Sequence, residues 1–220
     1  QYGAKAKYRT ATVNLAPFLP TLAKEIIEQR KSFFNYDYSV FANNAVVFYP
    51  AFEAGKNYPL VLIAHGDHFY KEYSEEGYTY IAKHLASRGY IVALVDENML
   101  NGEELFGASG VDDLYARGFV LLTQANIFAQ WNADPLHMLF GKVDVSNVAV
   151  IGHSRGGGGV GAAAYLYDKQ LFTVKSNNQT IPIGDFKKNF VLNTVIYIAP
   201  SNGYVGDQAL TDLQPINNIN

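Results

Sequence analysis

Three unbroken apolar runs stand out along this chain: Tyr58-Pro59-Leu60-Val61-Leu62-Ile63-Ala64, Tyr90-Ile91-Val92-Ala93-Leu94-Val95 and Val148-Ala149-Val150-Ile151. A strand with one wet face alternates polar and apolar residues. A strand without alternation is buried on both faces, as in a parallel sheet. Val191 to Ala199 reads as a fourth such strand, and Ser39 to Tyr49 is strand-like up to Pro50. Between the runs the period changes. Glu76 to Arg88 carries Tyr78, Ile81, Ala82 and Leu85 at helical spacing, with Gly89 as its stop. Val111 to Trp131 predicts a long helix with Leu114, Leu121, Leu122, Ala125 and Phe128 inward. Shorter helices are predicted over Thr21–Lys31 and over 155–168. Leu171–Val174 and Thr180–Ile183 flank the polar Ser176-Asn177-Asn178, which predicts a small hairpin. Asn98 to Gly110 reads as a loop, and Tyr8 to Phe18 has no clear period.

Strands alternating with helices predict an α/β fold: a mostly parallel sheet, helices on both faces, and right-handed crossovers. Neither an internal repeat nor a linker interrupts the pattern, so residues 1–220 read as one domain. With 49% apolar and 17% charged residues the composition is that of a globular chain, which excludes disorder. The net charge of −3 gives no basic footprint for nucleic acid. No apolar run reaches the length that spans a bilayer. The absence of cysteine removes disulfides, thiolate metal sites and cysteine nucleophiles. It leaves the compartment open, with a secreted or periplasmic bacterial setting favoured. The sequon Asn178-Gln179-Thr180 matters only in a eukaryotic secretory route. No cofactor or metal is expected: Asp112-Asp113 read as first-turn helix residues, with Asp113 four positions before Arg117.

The chemistry concentrates after the third run. Gly152-His153-Ser154-Arg155-Gly156 spells Gly-x-Ser-x-Gly, followed by the small-residue stretch Gly157 to Ala164. A strand, this pentapeptide and a helix in succession make a nucleophile elbow, with Ser154 thrust out at a strained turn. The flanking glycines allow the close chain approach, and those on the helix are expected to let it lie against the sheet. Ala64-His65-Gly66-Asp67-His68 sits at the carboxyl end of an earlier strand, where open parallel sheets bind ligands. A tetrahedral acyl intermediate needs two convergent N–H donors, read here as the amides of Arg155 and Asp67. The Asp67 carboxylate must then turn away or be neutralised. His65 and His68 are read as loop anchors, and His153 as pointing away from the serine. Leu105 and Phe106, in the loop after the second run, are candidates to face an acyl or alkyl group.

These stretches resemble the α/β-hydrolase family, and more narrowly its chlorophyllase-like and dienelactone-hydrolase-like bacterial esterases. The resemblance rests on 58–68 (YPLVLIAHGDH), 80–96 (YIAKHLASRGYIVALVD), 143–157 (VDVSNVAVIGHSRGG) and Ile198-Ala199-Pro200, and covers roughly residues 44 to 203. It implies an α/β-hydrolase fold and a serine, acid and histidine in that chain order. Here the pattern breaks. No histidine follows Ser154; His65, His68, His84, His137 and His153 all precede it. Asp207 and Asp212 follow the last strand, where Asp207 is the candidate acid.

The expectation is therefore a chain lacking C-terminal strands, being part of a longer or cleaved protein, with the base histidine supplied from outside it. Strand 191–199 is expected to pair with that missing segment or with a second chain, because a bare apolar edge is a template for aggregation. Two functional readings stand. One is a serine hydrolase cleaving a small-molecule carboxylic ester, thioester or lactone through an acyl-enzyme on Ser154. The other is a non-catalytic binding or structural subunit on a hydrolase scaffold.

Overall fold

The three unbroken apolar runs lie side by side at the centre of one sheet. The structure, a computed structural model, describes residues 11–105, 113–174 and 177–201. In chain order its elements are β1 (Thr12–Val13), α1 (Lys24–Phe34), β2 (Phe41–Ala42), β3 (Ala45–Phe48), β4 (Tyr58–Ala64) and α2 (Thr79–Ala86). Then come β5 (Ile91–Val95), α3 (Asp113–Ala133), β6 (Val143–His153), α4 (Arg155–Tyr167), β7 (Leu171–Val174), β8 (Gln179–Pro182) and β9 (Leu192–Ile198). The main sheet has the order β3-β5-β4-β6-β9. Its β5, β4, β6 and β9 run parallel, while β3 is antiparallel to β5.

Successive side chains on a strand point to opposite faces, so a strand with no alternation needs two covers. Leu60, Leu62, Ala64, Ala93, Val148 and Val150 join α3 and α4 in the larger core. Val61, Ile63, Val92, Leu94 and Ile151 meet Ala82, Ile81 and Leu85 of α2 on the other side. This doubly covered sheet, with a tight strand-to-helix turn between β6 and α4, is an α/β-hydrolase fold.

The deviations from the sequence reading have local causes. The expected strand 39–49 is broken: a 3₁₀ turn over Tyr38–Val40 precedes β2, and Asn43-Asn44 separate β2 from β3. The first helix sits three residues later than expected, ending at Asn35 in the left-handed conformation (φ 61°). A 3₁₀ turn over Ser74–Tyr78 precedes α2, which begins at Thr79. The strand expected to be covered on both faces is not: among the described residues β9 pairs with β6 alone. Ile196, Tyr197 and Ile198 stay partly exposed. The α4 glycines also divide their work. Gly156 faces the end of β4, but Gly158 and Gly159 receive Leu114 and Arg117 of α3, so half of that stretch serves helix–helix contact.

Candidate active site

Ser154 stands between β6 and α4 with φ 52° and ψ −119°, a strained conformation for a residue with a Cβ. The turn is tight enough that a Cβ on Gly152 would strike the backbone of Gly156, and one on Gly156 the carbonyls of Ala64 and His65. Both glycines of the pentapeptide are thus dictated by space. The backbone is sewn to the end of β9. The Ser154 N–H donates to the Ile198 carbonyl at 3.1 Å, and the Ser154 carbonyl accepts from Ser201 N–H at 3.0 Å. Gly157 N–H, at 2.9 Å, starts the helix on that same carbonyl.

The loop after β4 presses on this elbow. A Cβ placed on Gly66 would lie 3.0 Å from the Ser154 Cβ and 3.3 Å from His153 Nδ1. The Asp67 carboxylate, next along, accepts the Gly102 N–H at 2.8 Å. His65 is the loop's anchor. Its Nε2 accepts the Glu97 N–H at 3.1 Å, so Nδ1 carries the proton and donates to the Gly66 carbonyl at 2.7 Å. Burial, reinforced by nearby Arg117, holds its pKa down at about 3, and the ring stays neutral. His68 departs from expectation: it is exposed, on the rim of a cavity.

That cavity, about 530 Å³, lies beside the elbow and is lined by His153, Ile198, Tyr73, Tyr78, Tyr80 and Ile81 among others. Burial raises the Tyr78 phenol, so its hydroxyl keeps its proton. It lies 2.9 Å from His153 Nδ1. The His153 ring thus belongs to the cavity wall. The side chain of Arg155 folds back under the elbow onto Asp113, and both are buried. Burial raises the Asp113 pKa against the opposing pull of Arg155 and Arg117.

Other expected site residues fall elsewhere. Leu105, a candidate for an acyl-facing residue, is packed in the main core at 1% exposure and does not reach the cavity. Apolar character alone does not separate a core leucine from a pocket leucine. Phe106, Asp207 and Asp212 lie outside the described residues. His84 is exposed on α2. His137 stacks on Trp131 with ring centroids 4.6 Å apart. Tyr78, Glu97 and Arg117 were not read as site residues. Tyr78 had looked like an inward helical position and Arg117 only like a partner for Asp113, which it does face at 3.8 Å.

Among the described residues no group of three His, Asp or Glu side chains is arranged to hold a metal ion, and no helix is long and apolar enough to cross a membrane.

A family model described as Chlorophyllase matches residues 35–176, well over half of the chain's 220 residues. No curated protein matches. Solved structures similar to the chain include three of esterase 2 from the planctomycete Thermogutta terrifontis. The form phosphonylated by sarin is 12% identical with a TM-score of 0.45, covering 78% of this chain and 57% of that one. The butyrate-bound form is 15% identical with a TM-score of 0.46, covering 79% and 54%. The apo form is 13% identical with a TM-score of 0.47, covering 80% and 59%. The chain thus spans between 54% and 59% of the length of these three structures.

Proposed function

The chain belongs to the chlorophyllase family, and on that footing we propose that it is a serine hydrolase of carboxylic esters, with Ser154 as the nucleophile. The observation that carries this reading is the strained Ser154 between β6 and α4, with the Gly66 loop pressed against its side chain. Ser154 Oγ attacks the ester carbonyl and gives its proton to a histidine. The carbonyl oxygen becomes an oxyanion held by the amides of Arg155 and Asp67. Collapse expels the alcohol, protonated by the same histidine, and water then cleaves the acyl-enzyme. Thioesters and lactones obey the same chemistry. The cavity beside the elbow receives the bulkier part of a small-molecule substrate.

In this reading the base comes from outside this chain, and the settings of its five histidines support that. His65 has both ring nitrogens bonded, His153 has Nδ1 engaged by Tyr78, and His137 is stacked on Trp131. His84 and His68 are exposed, on α2 and on the cavity rim. In this reading Asp207 orients the base, residues 1–220 form one domain, and polypeptide beyond the sequence pairs along β9. The exposed Ile196, Tyr197 and Ile198 support such a pairing.

The test is labelling of the full-length protein with a fluorophosphonate. Label should appear on Ser154, and Ser154→Ala should abolish both labelling and ester turnover. Unchanged hydrolysis by that variant would remove the assignment. No labelling at all would favour the second reading, a non-catalytic subunit that keeps the scaffold.

A further inference from the structure

The two residues proposed to supply the oxyanion amides, Asp67 and Arg155, are far apart in sequence, yet their side chains converge on one arginine. Arg117, on α3, is fully buried. Its Nη2 lies 4.0 Å from the Asp67 carboxylate, and its Nε lies 3.8 Å from Asp113, which in turn holds the Arg155 guanidinium. The same guanidinium donates to the Leu100 carbonyl at 2.8 Å and to Asn101 Oδ1 at 2.8 Å. It also pairs with the buried Glu97 at 3.0 Å. Glu97 holds the loop again from below, through its N–H on His65. Loop 65–67 is thus tied to Arg117 by two routes and the elbow by a third.

We propose that Arg117 is a positioning residue that sets the spacing of the two oxyanion donors, acting through Asp67 on one side and through Asp113 and Arg155 on the other. The proposal rests on the serine-hydrolase reading and adds to it a residue that touches no substrate. The physical argument starts from cost. Removing charges from water is so unfavourable that a buried ion-pair cluster is often less stabilising than apolar residues of the same volume. Glu97 shows the cost directly: burial pushes its pKa up to about 7 despite the adjacent Arg117. What such a cluster supplies is direction. A guanidinium is a planar fork of five donors, and here its hydrogen bonds to Glu97, Leu100 and Asn101 fix its angle, so that a charge held in one place faces Asp67 at 4.0 Å and Asp113 at 3.8 Å. An oxyanion site depends on that kind of geometry, because a donor misplaced by a fraction of an ångström stabilises the transition state less than it should.

The experiment compares full-length wild type with Arg117→Lys and Asp67→Asn. Ester turnover is expressed per active site titrated with the fluorophosphonate, so that misfolded molecules drop out of the count. Lysine keeps the charge and loses the fork. Arg117→Lys should lower kcat per titrated site by roughly 10²-fold, near the loss of one oxyanion donor, with KM within about threefold. Asp67→Asn keeps an acceptor for the Gly102 N–H and loses the charge facing Arg117. It should lower kcat per site by about fivefold, the effect of losing one partly exposed ion pair. Should Arg117→Lys not fold, the Asp67→Asn result decides. A kcat per titrated site unchanged in the variant that folds overturns the positioning role and leaves the nucleophile standing. A wild type that takes no label at Ser154 overturns both together.

Discussion

Tyr78 places its hydroxyl 2.9 Å from Nδ1 of His153, the residue immediately before the elbow serine. The contact joins the 3₁₀ turn leading into α2 to the carboxyl end of β6, and it turns the His153 ring into the cavity. His153→Ala should therefore reduce kcat by less than about tenfold, whereas loss of a general base removes roughly 10²–10⁴-fold. Turnover of the variant under saturating substrate is the check. A fall of three orders would make His153 the base and displace the one proposed from outside the chain.

The glycines near the site offer a contrast in space. Gly156→Ala would put a methyl group into the carbonyls of Ala64 and His65. Overpacking of this kind costs about 1–3 kcal/mol, and more when backbone must move. Gly77, on the cavity wall, has open space where its Cβ would go and no positive φ. Gly77→Ala should be neutral, or stabilising by about 0.4–1 kcal/mol through the unfolded chain. Urea midpoints of the two variants against wild type measure both effects.

His65 makes stability sensitive to acid. Its folded pKa, about 3, lies below its ordinary 6.5, chiefly through burial. The unfolded chain therefore binds a proton first as pH falls. His65 contributes stability fully above pH 6.5 and loses it progressively toward pH 3, at up to about 1.4 kcal/mol per pH unit. Glu75 and Glu97 slope the other way. Burial raises each to about 7 from an ordinary 4.5, so their contribution is complete below 4.5 and is lost as pH rises toward 7. Comparing wild type with His65→Gln cancels the carboxylates. The stability advantage of wild type should shrink as pH drops from 6.5 to 4.5. A constant gap over that range would mean that the imidazole is not kept neutral by burial.

Tyr80 lines the cavity from an exposed position on α2. Tyr80→Ala should leave the melting temperature within about 2 °C, since surface substitutions stay within about 0.5 kcal/mol. It should raise KM for esters with a bulky group while sparing short acetates. Equal effects on both substrate sizes would place the substrate elsewhere.

How far the sequence carried depended on the range of the interaction. Apolar runs without alternation, Gly-x-Ser-x-Gly behind one of them, and helical periods between them are local patterns, and local sterics and burial enforce them. The α/β architecture, the parallel centre and the elbow at Ser154 were therefore determined by the chain's order of residues alone. Asp67, Glu97, the α3 pair Asp113 and Arg117, and Arg155 come from four separate segments, and only the crossovers that carry α3 and α4 to one face of the sheet bring them together. The same packing decided that Leu105 enters the core, that Tyr78 finds His153, and that Gly158 and Gly159 meet α3 instead of the sheet. Periodicity says which face of an element is apolar. It does not say which distant element arrives there, because that follows from how whole helices and strands fill the remaining space.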